Sequence, residues 1–335
     1  MRMKVVVTGG TGFLGRHVVW RLAAEGVNVV FTGRNPQAAQ QVWDGAAANV
    51  SWVPLEHGTP TAADTLAEIA CGADAVVHCA ALSSPWGRRR DFERANLDST
   101  AEVLVACQQQ RVRRLVHVST PSLYFGFADR RDLREDAPLP TPANHYVRTK
   151  RAAEELIRGN PPPEVVVLRP RALFGPWDQT LVPRLLRVMK SGPVPLMRGG
   201  QALADLTYID NAVQAVWLAL TQPLERPFSV YNVTNGEPRP LEELLALMAR
   251  EFRIPLRTRA VSWPLVSLGA RAVEAVYTVA GGGREPPITR YSAGVLAFDQ
   301  TLDIEALRTE LGYRPTVGLE EGIRRHARWW REQRR

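Results

Sequence analysis

The chain has 335 residues, 45% hydrophobic and 23% charged, with a net charge of +8; this suits a globular protein with one large α/β unit and a lobe, or two small domains. No apolar run reaches the roughly 20 residues of a bilayer span, and the chain enters a strand-like run at Lys4 without a signal peptide before it. The arginines are scattered outside Arg88–Arg90 and Arg324–Arg335, with no accompanying nucleic-acid motif, so a membrane-integral or nucleic-acid-binding protein is not expected.

Lys4–Thr8 is a short apolar, β-branched run, and Gly9-Gly10-Thr11-Gly12-Phe13-Leu14-Gly15 follows at once. A helix with Leu14, Val18, Val19 and Leu22 on one face comes next, then a strand at Asn28–Thr32. Strand, glycine turn, helix and strand in this order form a dinucleotide-binding pattern. Gly9 permits the tight turn, Gly12 lets backbone N–H groups approach a pyrophosphate at the helix N-terminus, and Gly15 permits close helix packing. The second strand ends in Gly33-Arg34. An acid there would favour a free ribose hydroxyl, whereas arginine suits a 2′-phosphate, so the pattern predicts NADP(H) in preference to NAD(H).

A third strand is expected at Val50–Pro54 and a fourth at Ala75–His78, running into Cys79-Ala80-Ala81. Cys71, Cys79 and Cys107 have no metal or redox spacing and read as buried, reduced thiols of a cytoplasmic protein. After the loop Leu82–Arg90 a helix is expected from about Asp91, carrying Asn96–Thr100. A fifth strand, Leu115–Ser119, leads into Thr120-Pro121-Ser122-Leu123-Tyr124, and a polar, proline-containing loop follows. The sixth strand, Val165–Leu168, ends in Arg169-Pro170. Strands alternating with helices predict a parallel sheet covered on both faces.

Between the fifth and sixth strands lies Tyr146-Val-Arg-Thr-Lys150. On a helix this spacing puts phenol and ammonium on one face. A cation there favours the phenolate, so Lys150 is expected to lower the pKa of Tyr146 towards the range of a general acid/base.

These motifs, with Phe174-Gly-Pro176, Leu206–Asp210, Tyr231-Asn-Val233 and Leu311–Pro315, resemble the extended short-chain dehydrogenase/reductase family along nearly the whole chain. Ser119–Tyr124 and Arg169–Pro176 look most like its 3β-hydroxysteroid dehydrogenase-like group, which includes bacterial 2-alkyl-3-oxoalkanoate reductases. The resemblance implies a Rossmann-type doubly wound parallel sheet with a smaller C-terminal substrate-binding lobe. Residues 1–171 with 206–235 would form the NADP-binding domain, and 172–205 with 236–335 the lobe and C-terminal helices. It also implies that Tyr146 moves the proton, that Lys150 holds the nicotinamide ribose, and that Thr120 hydrogen-bonds the substrate oxygen, with Ser119 and Ser122 as alternatives. Gly9, Thr11, Gly12, Phe13, Leu14, Gly15, Arg34, Ala80, Ala81 and Pro170 would contact the cofactor together with Tyr146 and Lys150. Asn96 would tie strands together. The family's usual aspartate after the third strand is missing; the chain reads Val53-Pro-Leu-Glu56-His57 there.

Beyond Pro176 the amphipathic run Leu181–Met189, the helical Leu241–Arg250, Val261–Ala280 and the turn Gly281-Gly282-Gly283 belong to the lobe. Pro264, Arg271 and Glu274 interrupt Val261–Ala280, which reads as an amphipathic helix over a pocket rather than a membrane-surface anchor. The basic end, Glu320–Arg335, reads as a helix docked through Trp329 and Trp330. Ser83, Trp86, Ser122 and Arg171 are the substrate candidates. Trp86 offers a stacking surface or packs its own loop, and Arg171 offers a charge for a carboxylate or phosphate, while Arg88–Arg90 read as a solvated loop. The family pairs its subunits through the helices at Asn96–Gln110 and Tyr146–Arg158, where Ala101, Val103, Leu104, Ala152, Ala153 and Leu156 suit a homodimer or face only the sheet. The expected activity is NADP(H)-dependent interconversion of a ketone and a secondary alcohol on a 3-oxoacyl or steroid-like substrate. A nucleotide-sugar epimerase/dehydratase is the second reading, although Pro121-Ser122 stand where dehydratases carry an acid pair; a cofactor-binding sensor without turnover is the third.

Overall fold

A computed structural model describes residues 3–46, 48–281 and 284–334; Gly282 and Gly283 of the expected glycine turn lie outside it. Seven strands form the main sheet: β1 Lys4–Thr8, β2 Asn28–Gly33, β3 Val50–Pro54, β4 Ala75–His78, β5 Arg114–Val118, β6 Glu164–Pro170 and β7 Phe228–Val233. Their order is 3-2-1-4-5-6-7 and every pairing is parallel. The direction of winding reverses between β1 and β4, which opens a crevice at their carboxyl ends.

Alternation along the strands explains the two helical layers. Val5 and Val7 of β1 belong to one core with helices α1 (Phe13–Ala24) and, later in the chain, α4 (Ile209–Thr221). Val6, one residue out of phase, joins the opposite core with α2 (Ser99–Gln109) and α3 (His145–Gly159). Val165 and Val167 of β6 continue that second core, while Val166 and Leu168 join the first. A period of two thus divides near-continuous apolar strands between two buried faces.

The helix expected from Asp91 is a short turn, Arg89–Phe92, then a π-helical stretch at Glu93–Asp98, before α2 begins. The polar loop before α3 contains a strand, Arg130–Leu133, in a second sheet with Gln300–Leu302, Leu203–Ala204 and Arg239–Pro240. These strands are too short and polar for periodicity to reveal. Buried aspartates hold them: Asp299 accepts from Leu203 N–H at 2.8 Å, and Asp205 accepts from Leu302 N–H at 2.8 Å.

Two expectations are corrected, at Cys71 and at Val261. Cys71 is exposed at a helix end, although Cys107 is buried and Cys79 half-buried. Val261 belongs to a strand paired with Met197, and the following helix α5 (Trp263–Ala280) buries only Ala270, turning Leu265, Leu268, Val276 and Val279 outward. Its opposite face is half-buried, with Trp263 and Val266 packed against Met197, Ala293 and Ala297. Val103, Leu104 and Ala153 pack inside their own chain, leaving Ala101, Ala152 and Leu156 only partly covered. The last helix, α6 (Leu319–Glu332), does dock through its tryptophans: Trp329 meets Trp177 at 5.7 Å and Trp330 meets Phe252 at 5.6 Å between ring centres.

Candidate active site

Gly9 has φ +67°, and a side chain there would collide with the backbone of Ala80 at 2.7 Å. A Cβ on Gly15 would lie 2.2 Å from Gly9 O, so the helix packs on the turn as the spacing predicts. Gly12 is the exposed N-cap of α1 and supplies no side-chain cap. The first N–H groups of α1 therefore meet no competing side chain, and the turn fits the diphosphate of a dinucleotide. Ala80 and Ala81 border the turn from β4, half-buried and exposed in turn. Thr11 packs under Gly33, Phe13 is half-buried against His17, and Leu14 points into the core rather than the crevice. A Cβ on Gly33 would meet Thr11 at 2.4 Å. Arg34 next to it is exposed and has no ion-pair partner among the described residues. Glu56 is also exposed; its carbonyl receives the Thr59 hydroxyl at 2.9 Å.

Asn144 caps α3 by accepting from Val147 N–H at 2.9 Å, which sets Tyr146 in the first turn at the crevice edge. Burial pushes the Tyr146 phenol above its ordinary pKa, while the hydroxyls of Thr120 and Ser83 hold it down. The phenol is thus raised, where the spacing with Lys150 suggested that it would be lowered. The amine of Lys150 donates to Val118 O at 2.7 Å and stands 3.1 Å from His117 Nε2, and burial pushes it down to about 8. The two side chains share a helical face, but the lysine reaches below the tyrosine to the end of β5.

The three hydroxyls after β5 separate by direction. Ser119 donates to Glu154, which Arg169 grips through Nε at 3.0 Å and Nη2 at 2.5 Å. Arg169 also donates to the hydroxyl of Tyr124, which in turn donates to Asn232 at 3.0 Å. This buried ion-pair network supports the site from beneath. Thr120 faces Tyr146 and receives Ser122 N–H at 3.2 Å, and Ser122 accepts from the Tyr291 hydroxyl at 2.8 Å. Asn96, in the π-helical stretch, joins the loop after β4 to α3 rather than two strands: it accepts from Leu82 N–H at 2.7 Å and donates to Thr149 at 3.0 Å.

Of the substrate candidates, Ser83 stands closest to the phenol's chemistry, and Arg171 is buried just past Pro170. Trp86 is half-buried and its backbone makes a turn with Ser84. The Arg88–Arg90 run is exposed, but Arg89 and Arg90 open the short helical turn Arg89–Phe92 instead of belonging to the loop, and Arg89 pairs with Glu93 at 2.7 Å. His117 and Tyr291 were missed. Tyr291 lies in the short helix Arg290–Ala297, far along the chain, and no local pattern points to it.

A model of the NAD dependent epimerase/dehydratase family matches residues 5–234. The chain is 32% identical to a 2-alkyl-3-oxoalkanoate reductase of Stenotrophomonas maltophilia over 96% of this chain and 98% of the relative. It is 31% identical to a 4-hydroxy-2-methyl-3-oxo-4-farnesyl-3,4-dihydroquinoline-1-oxide ketoreductase of Stigmatella aurantiaca, over 96% and 95%. Among solved structures, a UDP-glucuronic acid 4-epimerase from Bacillus cereus in complex with NAD matches with a TM-score of 0.74 at 21% identity, over 99% of this chain and 100% of the other. That likeness concerns the fold alone.

Proposed function

Because the chain belongs to the NAD dependent epimerase/dehydratase family of extended short-chain dehydrogenases/reductases, we propose that this oxidoreductase interconverts a ketone and a secondary alcohol with NADP(H). The observation that carries the reading is the convergence of Thr120 and Ser83 on the Tyr146 phenol, above the buried amine of Lys150. The nicotinamide, when bound, supplies or accepts the hydride. Tyr146 gives its proton to the carbonyl oxygen in reduction, and its raised pKa keeps that proton in place until the oxygen becomes basic. Thr120 and Ser83 stabilise the phenolate left behind and hold the substrate oxygen. Lys150, poised at about 8, is the residue to hold the ribose. Gly9–Gly15, Ala80, Ala81 and Pro170 hold the rest of the cofactor, and Arg34 the 2′-phosphate.

In this reading residues 1–171 with 206–235 bind cofactor, and 172–205 with 236–335 cover an apolar 3-oxoacyl or ring ketone. Three free cysteines and the absence, among the described residues, of a helix long and apolar enough to cross a membrane support a reduced, cytoplasmic setting. Copies are proposed to pair through α2 and α3. A nucleotide-sugar reaction has less support, since Pro121 and Ser122 follow Thr120 and the serine is engaged with Tyr291.

The test is NADPH oxidation against a panel of 3-oxo acids, ring ketones and nucleotide sugars. Tyr146→Phe should lower kcat by ~10²–10⁴-fold on the accepted ketone, as loss of a general acid does. Epimerisation returns its hydride to the sugar and oxidises no NADPH overall, so the nucleotide sugars are followed by product analysis: conversion confined to them would replace this reading with epimerisation, and cofactor binding without any turnover would leave a sensor.

A further inference from the structure

Helix α5 is held to the rest of the chain along one side. At its start Trp263 meets Phe298 edge-on at 5.1 Å and stacks on Phe127 at 6.1 Å between ring centres. Further along, Ser267 accepts from Arg290 Nε at 3.0 Å, and Glu274 accepts from Arg290 N–H at 2.7 Å. These contacts fix the rotation of the helix, so its other side faces outward. That side carries Leu265, Leu268, Ala272, Ala275, Val276 and Val279 at helical spacing, all exposed. Leu265 is 71% exposed and Val279 89%. A continuous exposed apolar stripe marks a surface that meets something else.

Charge decides what it meets. From Phe252 to Gly281 the chain has four arginines, Arg253, Arg257, Arg259 and Arg271, all exposed, and a single acid, Glu274. That acid is turned inward to Arg290. Arg257 and Arg259 stand at the start of the strand Thr258–Val261, which runs directly into the helix. The acids that bracket the segment, Glu251 and Glu285, are engaged by Arg250 and Arg184. In a two-fold pairing a second copy would bring these arginines against their own counterparts. A bilayer surface rich in anionic lipid instead offers acyl chains to the stripe and phosphates to the arginines. We propose that α5 is an interfacial docking helix that lies in the plane of an anionic membrane surface. Leu265, Leu268, Val276 and Val279 enter the acyl boundary, and the arginines meet the headgroups. The helix does not cross the bilayer, since among the described residues no helix is long and apolar enough to do so. The docking is independent of the reaction assigned to Tyr146.

The experiment floats the full chain with vesicles of phosphatidylcholine alone and of phosphatidylcholine with about 30% phosphatidylglycerol. The variants are the triple Leu265→Ser, Leu268→Ser, Val276→Ser, the double Arg257→Ser, Arg259→Ser, and Val105→Ser on α2, each first checked by thermal melting. Wild type should bind the anionic vesicles, and the binding should weaken ~10-fold or more as NaCl rises from about 0.1 to about 0.5 M. The triple variant should bind at least ~10-fold more weakly, the arginine double ~20- to 30-fold more weakly, and Val105→Ser like wild type. If the triple variant melts early, single Leu265→Ser and Val279→Ser replace it, since these two side chains are the most exposed. Absence of binding to anionic vesicles overturns the proposal. So does equal binding to both kinds of vesicle, or binding that the serine substitutions on α5 leave intact. Sedimentation without lipid supplies the remaining outcome: self-association of wild type that the triple variant abolishes assigns the stripe to a second copy and overturns membrane docking.

Discussion

Burial acts on Tyr146 and Lys150 alike, since it disfavours the charged form of each: the phenol rises and the amine falls to about 8. The hydroxyls around them then decide which groups take part in chemistry. Thr120→Ala should lower kcat by roughly 10- to 100-fold with little change in melting temperature, because it removes one donor to the developing charge. Ser119→Ala should do the reverse. It strips a hydrogen bond from buried Glu154 and costs about 1–3 kcal/mol of stability, read by urea unfolding, while kcat stays near wild type. At the far end of the cofactor site, Arg34→Ala should reduce the NADPH-over-NADH preference by ~10- to 100-fold, measured as a ratio of Kd values. An unchanged ratio would remove Arg34 from the cofactor site. The Tyr and Lys positions were legible because helical spacing is a local property. The target of the lysine was not, because Val118 O and His117 reach it only through sheet packing.

Among the elements, the glycine turn and α1 were read correctly because one unbroken segment contains both the strand and the helix that use it. The π-helical stretch at Glu93–Asp98 was missed: its extra residue per turn leaves no mark in hydrophobic spacing, yet it directs Asn96 to both Leu82 and Thr149. The docking of α6 leads to a pH effect. His326 is fully buried between Phe252 and Trp329, and neither ring nitrogen has a described partner. Burial pushes its pKa down to about 4. Below pH 6.5 the unfolded chain takes up a proton at this histidine that the folded chain resists, so its contribution to stability declines as pH falls from 6.5 towards 4. His326→Leu should flatten that part of the curve by up to about 3 kcal/mol. Urea midpoints at pH 8, 6, 5 and 4 measure it, and parallel curves for variant and wild type would refute it.

At the scale of the molecule, one parallel sheet separates two cores, and the crevice opens where its winding reverses. On the outer side of the second core, Val105 on α2 is 39% exposed, with Ala101, Ala152 and Leu156 half-covered beside it. If α2 and α3 pair between copies, wild type should sediment as a dimer and the double variant Val105→Glu, Leu156→Glu as a folded monomer. A wild-type monomer at tens of micromolar would rule the pairing out. Helix α5 carries a second outward apolar stripe, so the sequence alone does not favour one apolar surface over the other.

What the sequence determined by itself is everything written in local order: the strand–turn–helix–strand unit, the Tyr146–Lys150 spacing, the cation at Arg34, and the parallel sheet implied by alternating elements. Chain neighbours suffice for these, because steric freedom at glycine and side-chain period act over a few residues. Tertiary structure alone decided where the amine of Lys150 ends and that Tyr291 closes on Ser122 from 169 residues away, and it sets Thr120, which the sequence preferred, beside the phenol. It also decided that Arg171 is buried beside the charge of Asp205. The cost of burying a charge depends on what surrounds it in space, and sequence distance carries no information about that.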